Sequence, residues 1–492
     1  MSTTPRTRAT GTPAPPPTSG AYGGAEPTND YLAQRELRGG TAGWFLLAGL
    51  GVAYVISGDY AGWNFGLEQG GFGGLLIALV LMGTMYGCMV LGLAELASAL
   101  PTAGGGYTFA RRALGTWGGF ATGTAILIEY AIAPAAIATF IGGYVESLDL
   151  FGITNGWWIS LACYVVFIGI HLAGVGEALK VLFVITAIAA VALLAFVVGM
   201  LPHFSVDNLT DIPATDAAGA SSWLPFGLLG VWAALPYGIW FFLAVEGVPL
   251  ASEKARDPHR NVPRAIVAAM AVLTLFAVLV LFAGPGGAGS SALAASDNPL
   301  VDALRTANGG STWLGSAVNY VGLLGLIASF FSIIYAYSRQ TFALSRAGYL
   351  PKRLSVTTKR RAPALALIVP GVIGFLLSLS GEGDRLINMA VFGATLSYVL
   401  MMLSHIVLRR REPDLPRPYR TPGGTVTTGI ALVLAALAVV ATFVVDAVAA
   451  LLCLAVYAVF LAYFGLYSRH HLVASAPEEE FAAVRSAEHE LD

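Results

Sequence analysis

The stretch Ile56-Ser57-Gly58-Asp59-Tyr60-Ala61-Gly62-Trp63-Asn64 decides how this chain is read. It lies inside an apolar run that begins near Trp44 and is long enough to cross a membrane. Two glycines, one aspartate and two aromatics interrupt what is otherwise a plain membrane helix. Glycine loosens helical backbone and lets a ligand come close to it. A carboxylate within a span is costly and marks a functional site by default. The stretch therefore reads as a broken helix that carries an acid at membrane depth.

The rest of the chain supplies the setting. Of its 492 residues, 56% are apolar and 11% charged, against about 25% charged in soluble domains. Apolar runs of roughly 20 residues recur without the alternation of a barrel strand. The chain is therefore expected to be an all-α polytopic membrane protein. A net charge of −2 leaves no nucleic-acid footprint. Cys88, Cys163 and Cys453 fall in apolar runs with no pairing or metal spacing, and read as small core residues. Residues 1–40 are rich in Pro, Thr, Ser, Gly and Ala and are expected to be a disordered N-terminal tail, not a signal peptide. Residues 469–492 read as a short acidic C-terminal tail.

Twelve spans are expected, near 43–67, 73–98, 117–145, 157–174, 179–201, 225–250, 263–284, 314–346, 364–381, 384–409, 425–446 and 448–468. Proline and glycine breakers separate them. Placing the N-terminus inside puts every Lys and Arg except Arg305 and Arg385 on one side. That asymmetry predicts both termini in the cytoplasm and a multi-pass protein of the cytoplasmic membrane.

Span 6 echoes span 1. It contains Pro236 and Gly238, then Trp240-Phe241-Phe242-Leu243-Ala244-Val245-Glu246-Gly247. Both segments are apolar, glycine-interrupted, aromatic and acidic, and they lie an odd number of spans apart. Paired interrupted helices of this kind point to a transporter site between inverted repeats. The expected transporter domain is 41–468, with repeat one at 41–201, repeat two at 225–410, and two further helices at 425–468.

Several motifs then resemble a known group. Ala94-Glu95-Leu96-Ala97-Ser98-Ala99-Leu100-Pro101-Thr102-Ala103-Gly104-Gly105-Gly106-Tyr107, running to Arg111-Arg112, is similar to the span 2–3 signature of the amino acid–polyamine–organocation superfamily. So are Glu253 to Arg264 after span 6, Ser338-Arg339 with Ala347-Gly348-Tyr349-Leu350-Pro351, and Arg417-Pro418-Tyr419-Arg420-Thr421-Pro422-Gly423. Within that superfamily, Ser57 to Asn64 with Ile128-Glu129-Tyr130 resembles the ethanolamine permease subfamily. The resemblance implies a five-plus-five inverted repeat, broken helices 1 and 6, and alternating access with substrate held between the breaks.

Ser57, Gly58, Asp59, Tyr60, Trp63, Glu129, Trp240, Phe242 and Glu246 are the candidate substrate-binding residues. Relatives that take amino acids are expected to receive the substrate carboxylate on free N–H groups at the first break. Here Ser57-Gly58-Asp59 stands in place of Gly-Ser-Gly, and an ionised aspartate repels a carboxylate and attracts an ammonium. Aromatic faces also attract ammonium groups. Ethanolamine, a small cationic amine, is the substrate this implies, with an amino acid or polyamine as the alternative and a non-transporting amine sensor as a distant one.

Glu246 is expected to organise its helix or take part in coupling, and Glu129 to contact amine or relay a proton. Glu95 reads as structural, paired with a loop arginine, and His171 and His405 as solvated or packing residues near span ends. The resemblance implies that a sodium ion, if used, would sit at Ser329 and Ser332 in span 8, where related folds use hydroxyls; serines in membrane helices also bond to their own backbone. Many proton-coupled relatives carry a lysine where this chain has Ala189, so proton and sodium both stay open as coupling ion. No triad, phosphate loop, metal pair or cofactor motif is present, and none is expected. Oligomeric state is not readable.

Overall fold

The computed structural model describes residues 42–102, 104–148, 156–174 and 178–473. The expected N-terminal tail, and the C-terminal tail beyond residue 473, lie outside the described residues, as do the side chains of Lys180 and Glu253. The described chain is helical, with one isolated bridge between Ala42 and Ala255 in place of any strand.

The helices, in chain order, are α1 (Trp44–Val55), α2 (Ser57–Tyr60), α3 (Phe65–Ala99), α4 (Gly106–Ser147), α5 (Gly156–Ala173), α6 (Ala178–Met200), α7 (Val206–Leu209) and α8 (Gly227–Trp240). They continue as α9 (Pro258–Ala288), α10 (Ser290–Leu293), α11 (Pro299–Asn308), α12 (Trp313–Arg346), α13 (Ala364–Ser378), α14 (Gly383–Arg411), α15 (Thr425–Val445) and α16 (Ala447–Leu466). A 3-10 segment, Val245–Lys254, follows α8. Ten helical stretches among the described residues are long and apolar enough to cross a membrane. Two shorter apolar helices, α1 and α13, coincide with the first and ninth expected spans.

Helices that are apolar all round need a partner on one side and lipid on the other. α4 and α14 pack along each other, and α3 lies against α8, so these four hold the interior. α6, α15 and α16 turn Val191, Val433 and Val459 outward, where lipid tails would meet them. Local signals set the helix ends. Pro258 and Pro299 open α9 and α11, where a missing N–H costs nothing. The Thr312 hydroxyl accepts from Gly315 N at 3.0 Å to cap α12, and the Asp446 carboxylate accepts from Ala449 N at 2.9 Å to cap α16.

Three expectations change. First, Ser57-Gly58-Asp59 is not itself the break: it forms the helical turn α2, and the chain leaves helical geometry at Ala61, with Gly62 at φ +92°. Second, Pro236 and Gly238 lie within a continuous α8; span 6 breaks at Phe241–Ala244, where Ala244 takes φ +79°. Third, α4 begins at Gly106 rather than near 117, with a bend at Gly115 (φ +78°). The amphipathic α11, between spans 7 and 8, carries no long apolar run and so gave no signal as a span.

Candidate substrate site

The two breaks meet. α1 and α2 are joined through a side chain from another helix: the Ser329 hydroxyl of α12 donates to Ala53 O at 2.7 Å and accepts from Ser57 N at 3.0 Å. That hydroxyl stands in for the direct Ser57-to-Ala53 rung, and a side chain inserted into the ladder is a recognised cause of a kink. Beyond α2, Ala61 is extended, which turns its carbonyl out of the helical ladder. The Trp240 indole N–H donates to that carbonyl at 2.9 Å. Trp63 stacks on Phe241 with ring centroids 5.8 Å apart. A Cβ on Gly58 would sit 2.5 Å from Trp240 O, so only glycine lets the two interrupted helices approach this closely.

The far side of the first break is pinned by Asn64. Its amide donates to Leu293 O and Ser296 O, both at 2.8 Å, and its carbonyl accepts from Gly62 N at 3.2 Å. Tyr60 donates to Ala189 O at 2.7 Å, and Tyr144 donates to Tyr60 O at 3.0 Å. Ala189 thus faces the first break and supplies a carbonyl there. Ser332 bonds within its own helix, to Ala328 O.

Asp59 is 0% exposed, and neither carboxylate oxygen receives a hydrogen bond. Burying an ionised group without a partner is among the costliest things a fold can do. Glu129 and Glu246 form a second acidic locus, at 0% and 5% exposure. Tyr130, the chain neighbour of Glu129, connects the two through its phenol. Glu246 accepts from Tyr130 at 3.1 Å and from Tyr398 at 3.0 Å, and Tyr86 and Tyr398 share a 2.8 Å hydrogen bond. Neither Glu129 oxygen has a hydrogen-bond donor.

The structure thus divides the candidates. Ser57, Gly58, Asp59, Tyr60, Trp63 and Trp240 gather at the meeting of the breaks. Glu246 is held instead by Tyr130 and Tyr398, and no hydrogen bond links it or Glu129 to Asp59. Phe242 packs against Tyr86 at 5.3 Å, which puts it with the Glu246 group. All of these side chains are buried, so both loci are shut from solvent. Sequence reasoning missed Ser329 as the brace of the first break, Tyr398 as a partner of the second acid, and Tyr86 behind Tyr398. A phenol deep in an apolar run needs a hydrogen-bond partner, and that need was the available signal.

Glu95, in α3, is paired as expected: Arg409 reaches it at 2.6 Å and the loop residue Arg417 at 3.1 Å. His405 is not solvated but buried 3.3 Å from the same carboxylate. His171 is buried too, with Nδ1 2.7 Å from Phe167 O and its ring 4.1 Å from Phe331. The three cysteines are free thiols.

A helical membrane bundle in which two interrupted helices meet beside buried acids has the build of a solute transporter. The chain belongs to the amino acid permease family, whose model matches residues 46–481. It is similar to an uncharacterized transporter of Rhizobium meliloti (strain 1021), 29% identical over 85% of this chain and 89% of the relative. It is also similar to the branched-chain amino acid permease BcaP of Bacillus subtilis (strain 168), 27% identical over 73% and 78%. A methylthioribose transporter of the same organism is 25% identical over 75% and 79%. The protein is therefore a multi-pass membrane transporter of small organic solutes and not an enzyme. None of these three relatives has ethanolamine in its name.

Proposed function

We propose that the protein imports ethanolamine, or a closely similar small primary amine, across the cytoplasmic membrane by alternating access. The observation that carries this reading is Asp59: a buried carboxylate with no donor at either oxygen, one turn from the meeting of the two breaks. An ammonium group supplies both the charge and the hydrogen bonds that Asp59 lacks. In this reading the substrate amine docks on Asp59 while the rings of Trp63, Trp240 and Tyr60 close over it. Carbonyls freed at the second break take the hydroxyl. The buried state of both loci fits an occluded stage of the cycle.

The wider architecture belongs to the same proposal. Twelve spans with both termini cytoplasmic would form repeats at 41–201 and 225–410, with 425–468 outside them and tails at 1–40 and 469–492. Transport would be symport. A proton is the coupling ion in this reading, with sodium at Ser329 and Ser332 as the alternative. The inside-negative potential adds about 2.3 kcal/mol per charge per 100 mV for a cation moving in.

A second reading keeps the fold and takes an amino acid, as the name of the Bacillus relative suggests. Its carboxylate would have to avoid Asp59 or find it protonated. Uptake of labelled ethanolamine into proteoliposomes, competed by branched-chain amino acids, arginine and putrescine, separates the two. Saturable ethanolamine uptake that amino acids leave intact supports the first. Amino acid flux with no ethanolamine flux replaces it with the second, and binding without flux of either would favour a sensor.

A further inference from the structure

A cavity of about 390 Å³ lies on the outward side of the bundle, and none of the candidate substrate residues lines it. α4 supplies a stripe at three- and four-residue steps, from Thr124 through Ile128 to Ile132. α13 adds Val369 and Ile373, α14 adds Met389 and α16 adds Val456. The lining is apolar apart from the Thr124 and Thr341 hydroxyls and the Cys453 thiol. Val369, Ile373 and Val456 are exposed, so the cavity opens on the side these residues share. One end reaches the connection between α12 and α13, where Leu350, Pro351 and Leu354 line it. Lys352 and Arg353 belong to the same short 3-10 turn as Leu354 and are exposed. The connection, residues 347–363, also carries Lys359, Arg360 and Arg361, and it has no acid.

These features select an occupant. A polar solute would give up its water shell and find almost nothing to hydrogen-bond in such a lining. A spanning helix of a partner, about 10 Å across and 30 Å long, is far too large for the space. A single hydrocarbon chain asks only for apolar contact in a narrow cavity. The charge at the end says which lipid: a cluster of Lys and Arg beside a membrane helix attracts anionic headgroups, and both side chains donate well to phosphate.

We propose that this cavity holds an acyl chain of an anionic phospholipid, with the lipid's phosphate on Lys352 and Arg353. The inference rests on the chain being a membrane protein and on nothing about which solute it carries. The chain fills the space among α4, α13, α14 and α16. Two of these helices, α4 and α14, carry Tyr130 and Tyr398, the partners of Glu246. A bound lipid therefore packs the outer helices against those that hold the buried acid.

The test is photolabelling of the purified full-length protein in phosphatidylcholine vesicles. The probe is a trace of phosphatidylglycerol that carries a diazirine near the end of one acyl chain. Labelled peptides are expected from α13 and α16, well above the level on α15, whose Val433 is exposed to the bilayer at large. Replacing part of the phosphatidylcholine with unlabelled phosphatidylglycerol should displace the label. Arg353→Ala should lower the labelling about fivefold, and the double variant Lys352→Ala with Arg353→Ala about thirtyfold. Val456→Trp, which puts a ring at the exposed side of the cavity, should remove the label and needs no change at the basic turn. Even labelling of α13, α15 and α16, or a label that unlabelled phosphatidylglycerol does not displace, overturns the proposal. So does labelling that stays at the wild-type level in both the double variant and Val456→Trp.

Discussion

Buried acids occur at two kinds of place in this molecule, and the fold treats them in opposite ways. At one end of the bundle Glu95 is 1% exposed and saturated. It accepts from Arg409 Nε at 2.9 Å and Nη2 at 2.6 Å and from the Thr421 N–H at 2.7 Å, with Arg417 at 3.1 Å and His405 at 3.3 Å. A neighbouring pair, Arg112 and Glu412, closes at 2.7 Å. In the interior, Asp59 and Glu129 are buried to the same degree and accept nothing. A carboxylate whose lone pairs are filled by protein groups has no further ligand to bind. Glu95 joins α3, α14 and the loop before α15; Asp59, on the function proposed above, is kept for the substrate ammonium.

Substitutions can break or sharpen that contrast. The largest expected effect is on Glu95→Gln, which leaves Arg409 and Arg417 facing an amide. Removing one partner of a buried pair costs about 3 to 5 kcal/mol, read as a clear fall in melting temperature in detergent. Asp59→Asn, which deletes an uncompensated charge, should leave the melting temperature unchanged or higher. Equal losses in the two variants would erase the distinction.

Next comes Ser329→Ala. It strips the bridge from both Ala53 O and Ser57 N, and leaving buried backbone groups unpaired costs about 1 to 3 kcal/mol. Faster amide exchange confined to α1 and α2 would locate the effect. Trp240→Phe should cost about 1 kcal/mol by removing the hydrogen bond to Ala61 O. If that bond latches the two breaks together, substrate also leaves faster, measured as an increased rate of exchange in proteoliposomes.

The smallest effect is expected at Asp446, between α15 and α16. Its carboxyl is held below the ordinary carboxylate range, first by the Ala449 N–H it accepts from and then by Arg385, against some desolvation. A carboxyl depressed in the folded state adds stability above the unfolded value of about 3.9 and loses that contribution as pH falls through the folded one. Asp446→Ala should therefore lose about 1 kcal/mol of capping at neutral pH. The gap to wild type should close below about pH 4.

Much of this was legible in the sequence because membrane burial leaves coarse marks. Long apolar runs, and the rarity of acids such as Asp59 and Glu246 within them, follow from the cost of polar groups in lipid. The breaks were misplaced by a few residues. Glycine and proline mark where a helix can yield, whereas the helix yields where a tertiary contact takes the freed group. Ala61 O finds Trp240, and Ala53 O finds Ser329. Neither contact is written locally, since their partners lie 179 and 276 residues away. The separation of Asp59 from Glu129 and Glu246 was invisible for the same reason. The sequence offered three acids at depth, and only packing gives one of them, Glu246, its two phenol partners.

The central claim is that Asp59 waits for an ammonium group. Equilibrium binding of labelled ethanolamine to the purified wild-type protein and to Asp59→Asn tests it most directly. Saturable binding is expected to the wild type, with a loss of about 2 to 5 kcal/mol, roughly thirtyfold to several thousandfold in Kd, in the folded variant. Equal affinity of the two proteins for ethanolamine, or wild-type binding of a branched-chain amino acid but not of ethanolamine, would contradict it.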